Sequence, residues 1–132
     1  MGQPDFLNVD LEIISESSDL LKLAADMEEK AVVLYAGNGN GDDDYLVRME
    51  SNEDTSDQEV VIHNLCDLGE GFSKEQKAVW DGAKSRLFDV GYDQNPEQFG
   101  THFRINKDSL RRIAALNADL GISVYRTDDD RK

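Results

Sequence analysis

Hydrophobic and polar positions alternate from Phe6 to Ile14. Leu7, Val9, Leu11 and Ile13 share one parity, and Asn8, Asp10 and Glu12 share the other. A period of two predicts a strand with one dry and one wet face. Past Ser17 and Ser18 the period lengthens: Leu20, Leu23, Ala24 and Met27 recur at helical spacing behind a capping position, which predicts a short helix over 18–28. Lys30 to Ala36 reads as a strand, with Val32 and Leu34 against Val33 and Tyr35, and Tyr45, Val47 and Met49 alternate with Leu46, Arg48 and Glu50. Between them, Gly37 to Asp44 supplies the glycine and asparagine that a chain reversal requires, so the two segments read as an antiparallel hairpin with a long acidic tip.

The middle of the chain is helical in pattern. Ser56 and Glu59 match a capping box, and Val61, Leu65 and Leu68 form a stripe behind it, ended by Gly69-Glu70-Gly71. Ser73 and Gln76 form a second box, which opens a helix carrying Val79, Trp80 and Ala83. Leu87 to Tyr92 and Phe99 to Ile105 alternate again, with Asp93 to Pro96 as their turn. Asn106 caps a last helix with Leu110, Ile113, Ala114 and Leu120 inward, Gly121 stops it, and Ile122 to Tyr125 is a closing strand. The predicted order is βαββααββαβ. That pattern implies one α+β domain over 1–132, a mostly antiparallel sheet of about six strands with helices packed on one face, and a flexible tail over 127–132.

Composition narrows the functions. The chain carries 28 acidic and 14 basic side chains, a net charge of −14 and a pI near 4.3. The excess is lopsided: residues 1–81 hold 20 acidic and 5 basic groups, and residues 82–132 hold 8 and 9. Such a chain repels nucleic-acid phosphates and anionic lipid and attracts cations or basic proteins. Adaptation to a salty cytoplasm is the other origin of such an excess. The single cysteine, Cys66, excludes an internal disulfide and fits a reducing cytoplasm. The amino-terminal residues have neither the basic region nor the apolar run of a signal peptide, and no segment approaches the length of a membrane span.

Candidate chemistry is sparse. Asn38, Asn40 and Asp42 place oxygens with the first spacings of a calcium loop, but Asp43 stands where glycine is needed and Met49 where the bidentate glutamate belongs. What remains is a weak divalent-cation site on Asp42 and Asp44, or a hairpin tip kept off other sheet edges by its charge. His63 and Cys66 lie three apart on a helix, a spacing that could pair them. Their positions on the stripe favour a buried thiol and a surface imidazole. Trp80 reads as a core anchor. Arg104, Lys107, Arg111 and Arg112 form a small basic ridge, read as an ion-pair surface. No nucleophile elbow, phosphate loop or zinc spacing is present, so no catalytic residue and no cofactor is assigned.

Two stretches, Trp80 to Asp93 and Leu110 to Tyr125, together resemble small uncharacterised bacterial α+β domains, and the ending also resembles a broader group of bacterial domains of unknown function, some of which sit near toxin–immunity loci. The resemblance implies a fold and a bacterial source and transfers no active residue. The expectation is a non-enzymatic acidic binding protein of the bacterial cytoplasm, immunity- or antitoxin-like, meeting a basic protein through Asp10, Glu12, Asp42, Asp43, Asp44, Glu53 and Asp54. A weak cation binder and a small enzyme are the alternatives. Neither nucleic acid nor membrane is expected as a partner, and the oligomeric state is left open.

Overall fold

A computed structural model describes residues 5–39, 43–94 and 102–126. The elements run β1 (Asp5–Ser15), α1 (Asp19–Met27), β2 (Ala31–Asn38), β3 (Tyr45–Ser51), α2 (Gln58–Glu70), α3 (Lys74–Asp81), β4 (Ser85–Gln94), α4 (Lys107–Ala115) and β5 (Asp119–Arg126). The strands form one mixed sheet in the order β2-β3-β1-β4-β5. Three of its pairings are antiparallel, and β4 with β5 is parallel. A parallel neighbour needs a crossover, which runs through α4.

The α+β class and the mostly antiparallel sheet agree with the sequence pattern, but the described strands number five. The strand predicted over Phe99 to Ile105 is not formed at 102–105, and 99–101 lie outside the described residues. Phe103 and Ile105 instead pack as loop residues against the core, with the Phe103 ring 4.8 Å from that of Tyr92. Burial explains their apolar spacing without a strand. Of the expected turn, Asp93 and Gln94 belong to β4, and the rest lies outside the described residues, as does the 127–132 tail.

The last helix is shorter than its pattern suggests. It ends at Ala115, and Asn117 turns the chain with φ 61°, a left-handed conformation that asparagine tolerates. Leu120 therefore belongs to β5, and Leu110 is exposed on α4, while Ser109, Ile113 and Leu116 turn inward.

The dry parity of β1, β3 and β4 meets the helices. Val9, Leu11 and Ile13 of β1, Val47 and Met49 of β3, and Phe88, Val90 and Tyr92 of β4 are buried against Leu20, Leu23 and Met27 of α1, Ile62 and Leu65 of α2, Trp80 of α3 and Ile113 of α4. Trp80 is a core residue as predicted, and its indole N–H donates to the Leu116 carbonyl at 2.8 Å. Leu7 departs from its parity. Phe6 pairs with Tyr92 and Asn8 with the next residue back, Gly91, so Leu7 is the extra residue of a bulge and is half exposed.

The caps divide. Ser73 and Gln76 make the reciprocal box, each bonding the other's backbone N–H. Ser56 does not cap α2. Asp57 does, accepting from the N–H groups of Glu59 and Val60. A carboxylate one residue later fits the helix start better, because it adds charge at the positive end of the dipole. Glu59 is then free to reach α4, where it accepts from the Ser109 hydroxyl at 2.6 Å.

Candidate functional site: the uncovered face of the sheet

With the dry parity turned to the helices, the wet parity faces away from them. Strand register places Asp10 and Glu12 of β1, Glu50 of β3, Asp89 and Asp93 of β4 and Asp119 of β5 on this face. Arg48 is the cation that register adds there among the described residues, and it pairs with Glu12 at 3.0 Å. Carboxylates far apart in sequence thus become neighbours through pairing alone.

The centre of the face is a row of three. Asp10 lies directly opposite Asp89 and, one step on from the Leu11–Met49 pair, beside Glu50. The Asn8 amide donates to Asp10 at 3.2 Å and to Glu50 at 2.9 Å, so a neutral side chain holds two acids together. At the other end of the row the Ser123 hydroxyl lies 2.8 and 3.0 Å from the two Asp89 oxygens. Partial burial, the hydrogen bond with Glu50 and the charges of Glu50 and Asp89 outweigh Arg48 and push Asp10 up to about 6. Asp10 therefore keeps its proton to higher pH than an ordinary carboxyl does.

Gly91 makes the Asn8 position possible. A Cβ at residue 91 would sit 2.6 Å from the Asn8 side-chain oxygen and 3.3 Å from the Tyr125 ring. Asn8 and Tyr125 both lean over a residue that has no side chain.

The other residues singled out from sequence are placed apart. Asp44 sits at the opposite end of β3 from Glu50, with Lys84 at 2.8 Å from its carboxylate. Asp43 is exposed beside it, and Asp42 lies outside the described residues. Glu53 and Asp54 are exposed in the connection that leaves β3 at its far end. Seven strand residues, roughly 20 Å, separate the hairpin tip from that connection. The predicted acidic residues therefore line a course along β1 and β3 and do not converge on one point. Glu50, Asp89 and the positioning Asn8 and Ser123 were not assigned from sequence. Their signal was the wet parity of β3 and β4, which names a face without naming neighbours.

Cys66 is buried on α2, and burial, offset in part by Arg112, raises its thiol to about 11. It is a protonated, packed side chain at neutral pH. His63 is half-buried and faces Arg112, with its Nδ1 2.7 Å from a guanidinium nitrogen. Arg112 also bonds Glu70 and Asp67 at 2.8 and 2.7 Å, and these bonds raise its already high pKa further. This side chain joins α4 to α2, the ion-pair role expected of the basic ridge. Arg111 pairs locally with Asp108, and Arg104 is exposed in the loop before α4.

Besides a cleft of about 120 Å³ at Asn8, Glu50, Glu53 and Thr55, two clefts among the described residues lie off the row. One, about 390 Å³, lies between α1 and α3 and is lined by Ser17, Asp19, Lys22, Asp26 and Gln76. The other, about 350 Å³, is lined by Asp5, Phe6, Gln58, Tyr92, His102 and Arg104. There the Tyr92 hydroxyl donates to the Gln58 side-chain oxygen, and burial and then the Glu59 charge raise the Tyr92 pKa. Among the described residues, no group of three His, Cys, Asp or Glu side chains converges as metal ligands would. No helix among them is long and apolar enough to cross a membrane. Compared with protein-family models, curated proteins and solved structures, the chain matches none.

Proposed function

We propose that this chain is a non-enzymatic binding protein of the bacterial cytoplasm that meets a basic protein through the uncovered face of its sheet, in the manner of an immunity protein or antitoxin. The observation that carries the reading is the face itself. Among the described residues, carboxylates from four strands share it with one guanidinium, and no helix covers it. A rigid sheet presents these charges at fixed spacing, so a partner gains from them without ordering them first. The long-range field of a chain at −14 steers a cationic surface inward, and the row at its centre supplies the short-range contacts.

The test is kinetic. With the basic protein that the chain captures from its own cell, the association rate should fall steeply as salt rises. A chain carrying Asp10→Asn, Glu50→Gln and Asp89→Asn together should associate at least about tenfold more slowly at low salt. An unchanged rate in that variant would sink the reading.

One observation favours a second reading, the binding of a small molecule. The 350 Å³ cleft brings His102, Arg104 and Gln58 together against the rings of Phe6 and Tyr92. Amide shifts confined to these residues on addition of a small aromatic acid would support it.

A further inference from the structure

The sheet has two edges, and β2 is one of them. Along Ala31–Asn38 the sequence is AVVLYAGN, without Asp, Glu, Lys, Arg, His or Pro. Natural edge strands are usually blunted by such residues, because alternate backbone N–H and C=O groups point outward and invite another strand. Val32, Leu34 and Tyr35 are 44%, 49% and 43% exposed, and β3 is the strand that pairs with β2. Two local features modify this edge among the described residues: the irregularity between Val33 and Tyr35, where Leu34 is the extra residue, and the Tyr35 hydroxyl, which donates to the Asn38 carbonyl at 2.6 Å near the strand's end.

We propose that β2 is a self-association edge, at which two copies of this chain pair their β2 strands antiparallel about a twofold axis and join their sheets into one of ten strands. The charge distribution selects a second copy as the occupant. Each chain carries −14, so two copies repel over most of their surfaces, and a strip without ionised groups is where they approach at least cost. A basic segment gains nothing on that strip and is drawn instead to the carboxylates of the neighbouring strands. The strip also matches itself. A twofold centred between Leu34 and Tyr35 sets Val33 against Ala36 and Val32 against Gly37 of the second copy, so that residues on the same face of the sheet meet, small or apolar throughout. A self-complementary patch of this kind is what a closed dimer requires. Eight residues of edge bury little, at the small end of specific interfaces below about 1,200 Å², so the dimer is weak and concentration-dependent.

Sedimentation of the full chain from micromolar to millimolar concentration tests it. The average mass should climb from 14.8 kDa toward twice that value, and more steeply at higher salt, because salt screens the repulsion between the copies. Salt weakens the capture of a basic partner, so the two surfaces succeed or fail separately. Leu34→Lys and, independently, Val32→Lys should hold the chain at the monomer mass while leaving amide shifts in α2 and β4 unchanged. Protection of β2 amides against exchange should rise with concentration in the wild type and not in either variant. A wild-type chain that stays monomeric at millimolar concentration in high salt would overturn the proposal. So would a dimer that persists in both lysine variants, or one that protects β5 in place of β2.

Discussion

The two faces of this sheet are built from alternate residues of the same strands, yet they serve stability in opposite ways. On β1, Val9, Leu11 and Ile13 are almost wholly removed from water among the helices, while Asp10 and Glu12 between them face outward. The covered face gains free energy from each apolar group it hides. The uncovered face holds like charges at strand spacing, which costs stability at neutral pH and is offset only in part by Arg48 and Asn8. The contrast marks the helix side as the scaffold of the fold.

Substitutions on each side should separate these roles. Phe88→Ala, at the centre of the covered face, should cost about 3–5 kcal/mol of unfolding free energy by urea titration. A loss under about 1 kcal/mol would mean that the core is not packed as described. Gly91→Ala comes next, at about 1–3 kcal/mol, because the new methyl would meet the Asn8 oxygen at 2.6 Å. Its Asn8 amide resonances should shift as well, and unmoved resonances would separate Gly91 from the row.

Asp10→Asn should have the opposite sign. The folded-state pKa of Asp10 is raised from 3.8 to about 6, so the native state holds this proton more tightly than the unfolded chain does. The group's stabilising influence is therefore full below about pH 4 and is lost as pH rises through about 6. Removing the charge should raise stability at pH 7 by an amount of the order of 1 kcal/mol, after allowance for solvent screening of a half-exposed group. It should also flatten the stability profile between pH 4 and 6. A variant that keeps the wild-type slope would place the proton elsewhere. The smallest effect belongs to Glu12→Gln, whose pair with Arg48 is partly open to solvent: within about 0.5 kcal/mol in thermal or urea unfolding. A larger loss would show that this pair braces the face.

Much of the scaffold was legible from local pattern. The alternation of β1, the box of Ser73 and Gln76, the Asn106 cap and the burial of Trp80 each depend on residues close in sequence, whose periodicity or backbone bonding is dictated locally. The misreadings have a common origin. Phe103 and Ile105 alternate as a strand would, yet they fill a core gap beside Tyr92 as loop residues. Leu120 continues the apolar period of α4, yet the turn at Asn117 hands it to β5. An apolar residue announces burial, and periodicity over a few positions does not say which element delivers it. Of the candidate site, Asp10 and Glu12 were identified, whereas Glu50 and Asp89 were not.

The sequence by itself determined that this is an α+β chain whose sheet has a wet face, that its amino-terminal half is acidic, and where most of its helices begin. Those properties follow from side-chain polarity, period and capping, all of which act over a few residues. Tertiary structure alone decided that β1 lies between β3 and β4, that β5 joins in parallel, and that β2 is left at an edge. The central row follows from that order, because residues 10, 50 and 89 become neighbours only when β3, β1 and β4 pair in this register. Register is set by burying the opposite parity against the helices. The charged row is thus positioned by the packing of the side chains that face away from it.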